Sequence, residues 1–169
     1  MRAFLTVTER LEIAARLLLV YALIGAMFLL DIAAAPDPLA FLFVAPYTLM
    51  ALYYWTISRP LIFPAIMAFT LGLLLDILGG YPLGLFALLF TVVRLLLAGQ
   101  RRVLMAQGFV IFWVGFVIVS ALTYISAWAI MSLVNWHFLP LTDLIQPILM
   151  GSLLFPLVSA FLSLTHKIL

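Results

Sequence analysis

The chain has no cysteine, so it can form neither a disulfide nor a thiolate metal site, and its redox compartment leaves no trace. Charge is almost as scarce: 8% of its 169 residues are Asp, Glu, Lys or Arg, while 68% are apolar. A soluble domain carries roughly 25% charged and 45–50% apolar residues, and its surface needs a polar cover that this chain cannot supply. Lipid removes that requirement. Alternation at period 2 is also missing and the apolar runs are too long for barrel strands, which disfavours a β-barrel. The basic surplus is small, eight residues against six acidic, and no basic cluster exceeds Arg101-Arg102. It speaks to membrane orientation rather than to nucleic acid. Catalytic constellations are missing too. There is no nucleophile elbow, no phosphate-binding Gly loop and no metalloprotease motif, and the two histidines, His137 and His166, are expected at opposite faces of the membrane. The composition therefore points away from an enzyme and implies no cofactor or metal.

What is present is a succession of apolar runs near the ~20 residues that a spanning helix needs. The expectation is an all-α, polytopic membrane protein with six transmembrane helices: Ile13–Leu30, Leu39–Ile57, Leu61–Leu78, Leu83–Ala98, Phe109–Val134 and Leu144–Leu164. Between them lie connections rich in Pro, Gly, Asp and Asn: Asp31–Pro38, Ser58–Pro60, Gly79–Pro82, Gly99–Gly108 and Asn135–Asp143. Residues 1–169 read as a single transmembrane domain, with no stretch resembling a water-soluble one. The positive-inside rule tests the count. With the N-terminus cytoplasmic, Arg2, Arg10, Arg59, Arg101, Arg102 and Lys167 all fall inside, and the outer connections carry only acids, Asp31, Asp37 and Asp143. Both termini are then cytoplasmic. A cleaved signal peptide ending at Ala33-Ala34-Ala35 is the rival reading of the first helix; Glu9, Glu12 and Pro36 argue against it.

Three charges fall inside apolar spans, where each costs on the order of 3 kcal/mol on insertion scales. Arg16 is near the inner end of helix one and can snorkel. Asp76 lies on a stripe of helix three formed by Pro64, Ala68, Gly72, Asp76 and Gly80, every fourth residue, where small side chains allow close helix approach. It either bonds backbone or hydroxyl groups across the hairpin or contacts a ligand or partner. Arg94 belongs to a seam of helix four, Gly84, Ala87, Thr91, Arg94 and Ala98. Helical rise separates the two levels by roughly 13 Å, so Arg94 is expected to meet carbonyls, hydroxyls or lipid phosphate rather than Asp76. Phe116, Ser120, Thr123 and Ala127 form one row and Ser152, Pro156, Ser159 and Ser163 another, both read as interhelical glue. Pro46, Pro147 and Pro156 are expected to kink their helices. Tyr53, Tyr54, Trp55, Tyr81 and Trp136 read as an interfacial aromatic belt.

The segment Phe69–Gly84, with Gly72, Asp76, Gly80 and then Pro82-Leu83-Gly84, resembles the signature of the rod shape-determining protein MreD family: a Gly, an Asp four residues on, and a turn closing with Pro-Leu-Gly. The resemblance extends to overall length, short loops, the aromatics ending helix two and Pro156 in the last helix. It implies a non-enzymatic subunit of the bacterial cell-elongation (rod shape, peptidoglycan synthesis) complex, multi-pass in the inner membrane. Such a subunit would link MreC and the wall synthases to the cytoplasmic MreB filament. Gly72, Asp76, Pro82, Leu83 and Gly84 are the matched positions; Arg94 rests on the helix-seam argument alone. The family is also similar to the substrate-binding subunits of energy-coupling-factor vitamin transporters, which supplies an alternative function. A channel or pump would need Asp76 and Arg94 on one aqueous path.

Overall fold

A computed structural model describes residues 7–33, 45–106, 108–136 and 140–168. Among them the chain is all-helical: α1 Val7–Ala33, α2 Tyr47–Ser58, α3 Ala65–Gly79, α4 Leu85–Ala106, α5 Phe109–Val134 and α6 Thr142–Ile168. Asp37, His137 and the small residues after Ala33 lie outside the described residues, as do the side chains of Arg16 and His166.

The exterior is apolar. Leu149, Leu153, Leu157 and Leu164 on α6, and Ile118, Leu122, Ile125 and Leu133 on α5, are all exposed. Water would penalise so continuous an apolar surface, whereas hydrocarbon accepts it. Among the described residues two segments are long and apolar enough to cross a membrane, Phe109–Val134 and Thr142–Leu164; Leu17–Ala33 and Ala65–Gly79 are apolar but shorter. The 12 residues of α2 rise about 18 Å, well under the ~30 Å hydrocarbon thickness.

α2 departs furthest from expectation. Its sequence gives a span ending in an interfacial aromatic belt, yet every residue from Thr48 to Ile57 is buried, and the helix packs against α1, α4, α5 and α6. A helix apolar all round has no lipid or water face to prefer, and the centre is where it loses least. The aromatic-belt assignment fails there for the same reason. Tyr53 and Trp55 are 0% exposed and Tyr54 is 7%, so the trio is core. Tyr53 donates its hydroxyl to the Phe112 carbonyl at 2.9 Å and sits edge-on to Phe116 and Phe155, which stack on each other at 4.1 Å. Gly115 leaves room for the Tyr53 hydroxyl, since a Cβ there would lie 2.5 Å from it. Trp136 is the exception, 91% exposed at the end of α5.

Other boundaries move as well. Pro46 does not kink a helix: it is the N-cap of α2, where its missing N–H is not needed, and its carbonyl accepts from Met50 N–H at 2.9 Å. The predicted connection Gly99–Gly108 is helical as far as Ala106; Gly99 weakens but does not break a helix flanked by good formers. Helix three begins at Ala65 rather than Leu61, with Pro64 as its N-cap. Pro147 and Pro156 do lie inside α6.

Candidate functional site

α3 and α4 form the most extensive helix pair of the fold, and Asp76 joins them. Its side chain is 0% exposed. One carboxylate oxygen, Oδ1, accepts the Phe86 N–H at 2.8 Å; the other accepts Gly84 N–H at 2.9 Å and Ala87 N–H at 3.3 Å. These amides open α4, where N–H groups have no intrahelical acceptor and the helix dipole is positive. Asp76, in the last turn of α3, is thus the N-terminal cap of the next helix.

The other motif residues make that approach possible. Gly80 ends α3 in the left-handed conformation, φ 70°, and Tyr81 N–H returns to the Asp76 carbonyl at 2.9 Å, a glycine C-cap. Pro82 places its carbonyl for Leu85 N–H at 3.1 Å, and Gly84 takes φ 95°, a region closed to most side chains. At Gly72 a Cβ would lie 2.5 Å from the Phe86 carbonyl oxygen and 2.6 Å from Ala87 Cα, so α3 meets the α4 backbone directly. Of the predicted stripe, Ala68, Gly72 and Asp76 are buried together with Leu75, while Pro64 and Gly80 at its ends are exposed. Leu83 is 75% exposed and takes no part in the packing.

Arg94 is 9% exposed and far from Asp76 in partners. Its Nε donates to the Phe63 carbonyl at 2.6 Å and Nη2 to the Pro60 carbonyl at 3.1 Å. Seven residues on along α4, Arg101 repeats the arrangement: Nε to Ile57 O at 2.6 Å and Nη2 to Ser58 O at 3.2 Å. The two guanidinium groups hold the whole α2–α3 connection, and Arg101 places positive charge at the carbonyl end of α2, where it is favourable. Sequence reasoning missed Arg101 as a structural residue. The seven-residue spacing from Arg94 was there to see, but it means one face only if the helix continues past Gly99.

By sequence position Asp31 is an outer-loop charge and nothing more. It lies in the last turn of α1 and accepts Tyr47 N–H on Oδ1 and Thr48 N–H on Oδ2, both at 2.8 Å. α2 is thus capped as α4 is, by an aspartate from the preceding helix. No local signal could have shown this, because donor and acceptor are 16 and 17 residues apart.

The hydroxyl rows behave differently from expectation. Phe116, Ser120, Thr123 and Ala127 are the buried face of α5. Yet Thr123 bonds the Val119 carbonyl of its own helix, and Ser152, Ser159 and Ser163 bond carbonyls three residues back on α6. These four hydroxyls close on their own backbones instead of gluing helices, as Ser and Thr in helices commonly do.

Two concavities complete the picture. An apolar groove of about 480 Å³ runs between α4 and α5, lined by residues such as Leu89, Val93, Leu97, Ile118 and Leu122. A cavity of about 330 Å³ lies where the ends of α1 and α3 meet the starts of α4 and α6 and the side of α5, and it is lined by Asp31, Tyr81, Tyr124, Asp143 and Gln146 among apolar residues. Desolvation, then the negative charges of Asp143, Asp31 and Asp76, raise the Tyr81 hydroxyl above its ordinary pKa. Among the described residues no group of three or more His, Asp or Glu could hold a metal ion.

No curated protein and no solved structure matches this chain. A family profile does: rod shape-determining protein MreD, over residues 12–165. That match covers nearly the whole sequence and includes every residue of the Asp76 joint, so the chain belongs to the MreD family of rod shape-determining membrane proteins.

Proposed function

We propose that this protein is a non-enzymatic scaffold subunit of the bacterial cell-elongation complex, crossing the inner membrane six times with both termini in the cytoplasm. In that role it links MreC and the peptidoglycan synthases to the MreB filament. The observation that carries the reading is the use made of the motif residues. Gly72, Asp76, Gly80, Pro82 and Gly84 build one rigid joint, and the Asp76 carboxylate is occupied by three backbone amides. A carboxylate so engaged has little left for proton transfer or ligand chemistry and serves shape instead. A fixed α3–α4 hairpin is what a scaffold needs in order to present constant faces to partner helices. The charge map supports the orientation, since the acids Asp31, Asp76 and Asp143 gather toward one end of the bundle and Arg59, Arg94, Arg101 and Arg102 toward the other.

Depletion in a rod-shaped host tests the role: cells should round up, and complete depletion with normal shape would overturn it. Affinity purification in mild detergent should enrich an MreC-type partner. Because the chain lacks cysteine, single cysteines at positions 59, 102 and 143 test the orientation directly. An impermeant maleimide applied to intact spheroplasts should label position 143 only. A tightly held vitamin in the purified protein, seen by native mass spectrometry, would favour the transporter-subunit alternative instead.

A further inference from the structure

The cavity of about 330 Å³ is not used by the Asp76 joint or by the arginine clasp. Five helices contribute to it: Asp31 from the end of α1, Leu75 from α3, Phe86 from α4, Tyr124 from α5, and Asp143 and Gln146 from the start of α6. Its volume falls in the lower part of the range of small-molecule pockets, ~300–1,000 Å³. Its chemistry is one-sided. No Lys or Arg is among the described residues that line it, whereas two carboxylates face it from different helices. Among the described residues no hydrogen bond engages the Tyr81 or Tyr124 hydroxyl or the Gln146 carboxamide.

Each occupant class can be weighed on those facts. An anion would meet Asp31 and Asp143 with nothing to neutralise it. A neutral apolar group would cover two carboxylates without pairing them, which is costly. A cation is served on all sides. Each Asp31 oxygen uses one lone pair on a backbone amide and keeps another, as carboxylates can. Among the described residues the Asp143 carboxylate accepts only the Thr142 hydroxyl, at 3.2 Å, the Gln146 carbonyl is an acceptor, and the Tyr81 and Tyr124 rings offer π faces. Low-dielectric walls concentrate the field of the two acids. We propose that this cavity is a binding site for one ammonium or guanidinium group, brought either by a small free amine or by a Lys or Arg side chain of a protein docked on that face. The chemistry of the site is independent of the proposed orientation.

The full chain in phosphatidylcholine nanodiscs, labelled with 3-fluorotyrosine, provides the test. Butylammonium and butylguanidinium should each shift the fluorine resonances of Tyr81 and Tyr124 saturably, those resonances being assigned from Tyr→Phe variants, and butanol should not. Asp143→Asn should weaken the apparent affinity at least fivefold. The Asp143 side chain is exposed and bonds only its neighbour among the described residues, so the variant keeps its fold, unlike Asp31→Asn, which would strip the cap from α2. Gln146→Leu should weaken it less. No saturable shift with either cation, an equal response to butanol, or unchanged affinity in Asp143→Asn would overturn the proposal. In cells, a photo-cross-linker at Leu78 distinguishes the sources. A protein adduct identifies a partner side chain as the occupant, and a small amine retained in native mass spectrometry identifies a free ligand. The absence of both a protein adduct and a retained amine would overturn occupancy in the cell. All of these outcomes are separate from the shape phenotype, which tests the scaffold role.

Discussion

Replacing Asp76 by alanine removes one side chain and leaves three backbone donors without an acceptor. The Gly84, Phe86 and Ala87 amides now bond the carboxylate at 2.9, 2.8 and 3.3 Å. A hydrogen bond to a charged group contributes roughly 1.5–3 kcal/mol, and an orphaned buried donor carries its desolvation cost as well. The 3.3 Å bond is weak, and a water entering the vacated space would recover part of the rest. Asp76→Ala should therefore destabilise the protein by about 3–5 kcal/mol, more than the ~0.5–2 kcal/mol of an ordinary surface cap. For a chain of this length 1 kcal/mol is about 2–4 °C in Tm, so the midpoint in detergent or nanodiscs should fall by roughly 6–20 °C. Asp76→Asn keeps one acceptor oxygen but turns an NH₂ group toward backbone donors, and should lose about half as much. Amide exchange at Gly84, Phe86 and Ala87 should accelerate in both variants before global unfolding. A midpoint within 2 °C of wild type, with those amides still protected, would refute the capping account and return Asp76 to a ligand or partner contact.

Further outcomes follow from neighbouring geometry. Gly72→Ala puts a methyl group 2.5–2.6 Å from the Phe86 and Ala87 backbone, which cannot yield as a side-chain tip can. It should cost about 1–3 kcal/mol by overpacking, with Gly72→Leu abolishing accumulation of the protein in the membrane; wild-type levels of Gly72→Leu on an immunoblot would contradict the close contact. Arg94→Leu frees the Phe63 and Pro60 carbonyls and should lower stability by about 1–3 kcal/mol, with faster protease nicking at residues 59–64; Arg94→Lys should recover only part of it, because a point charge cannot span both carbonyls. Trp55→Ala should cost about 3–5 kcal/mol as a core truncation, and Tyr53→Phe about 1 kcal/mol for one buried hydrogen bond. Thermal midpoints near wild type for Trp55→Ala would restore the interfacial assignment.

The hairpin motif was legible because its causes are local. A C-capping glycine, a proline-led turn and an acid four residues before the glycine act within a dozen positions, and each residue type is demanded by a backbone conformation or an orphan amide. Residues whose partners lie in another part of the chain were not legible. Asp31 looked like any loop acid until α2 was seen to start beside it. Arg101 looked like an inside-positive charge until α4 was seen to run on past Gly99. The aromatic trio of α2 was misplaced because Tyr and Trp suit an interface and a core equally well: both have an apolar body and a polar tip.

Composition and run length by themselves determined that this chain lives in lipid and is helical, because 8% charge cannot cover a water-facing surface, and apolar runs too long for barrel strands pair their backbone amides in hydrocarbon as helices. Local spacing marked the α3–α4 hairpin, whose motif resembles that of the MreD family, and the profile match over residues 12–165 established the membership. Only the tertiary structure decided that α2 is the centre of the bundle, and that charges from α1 and α4 cap it at both ends. Lipid-facing and helix-facing apolar residues have the same chemistry, so in a membrane the hydrophobic pattern cannot say which helix is inside. Packing and the pairing of helix ends say it instead.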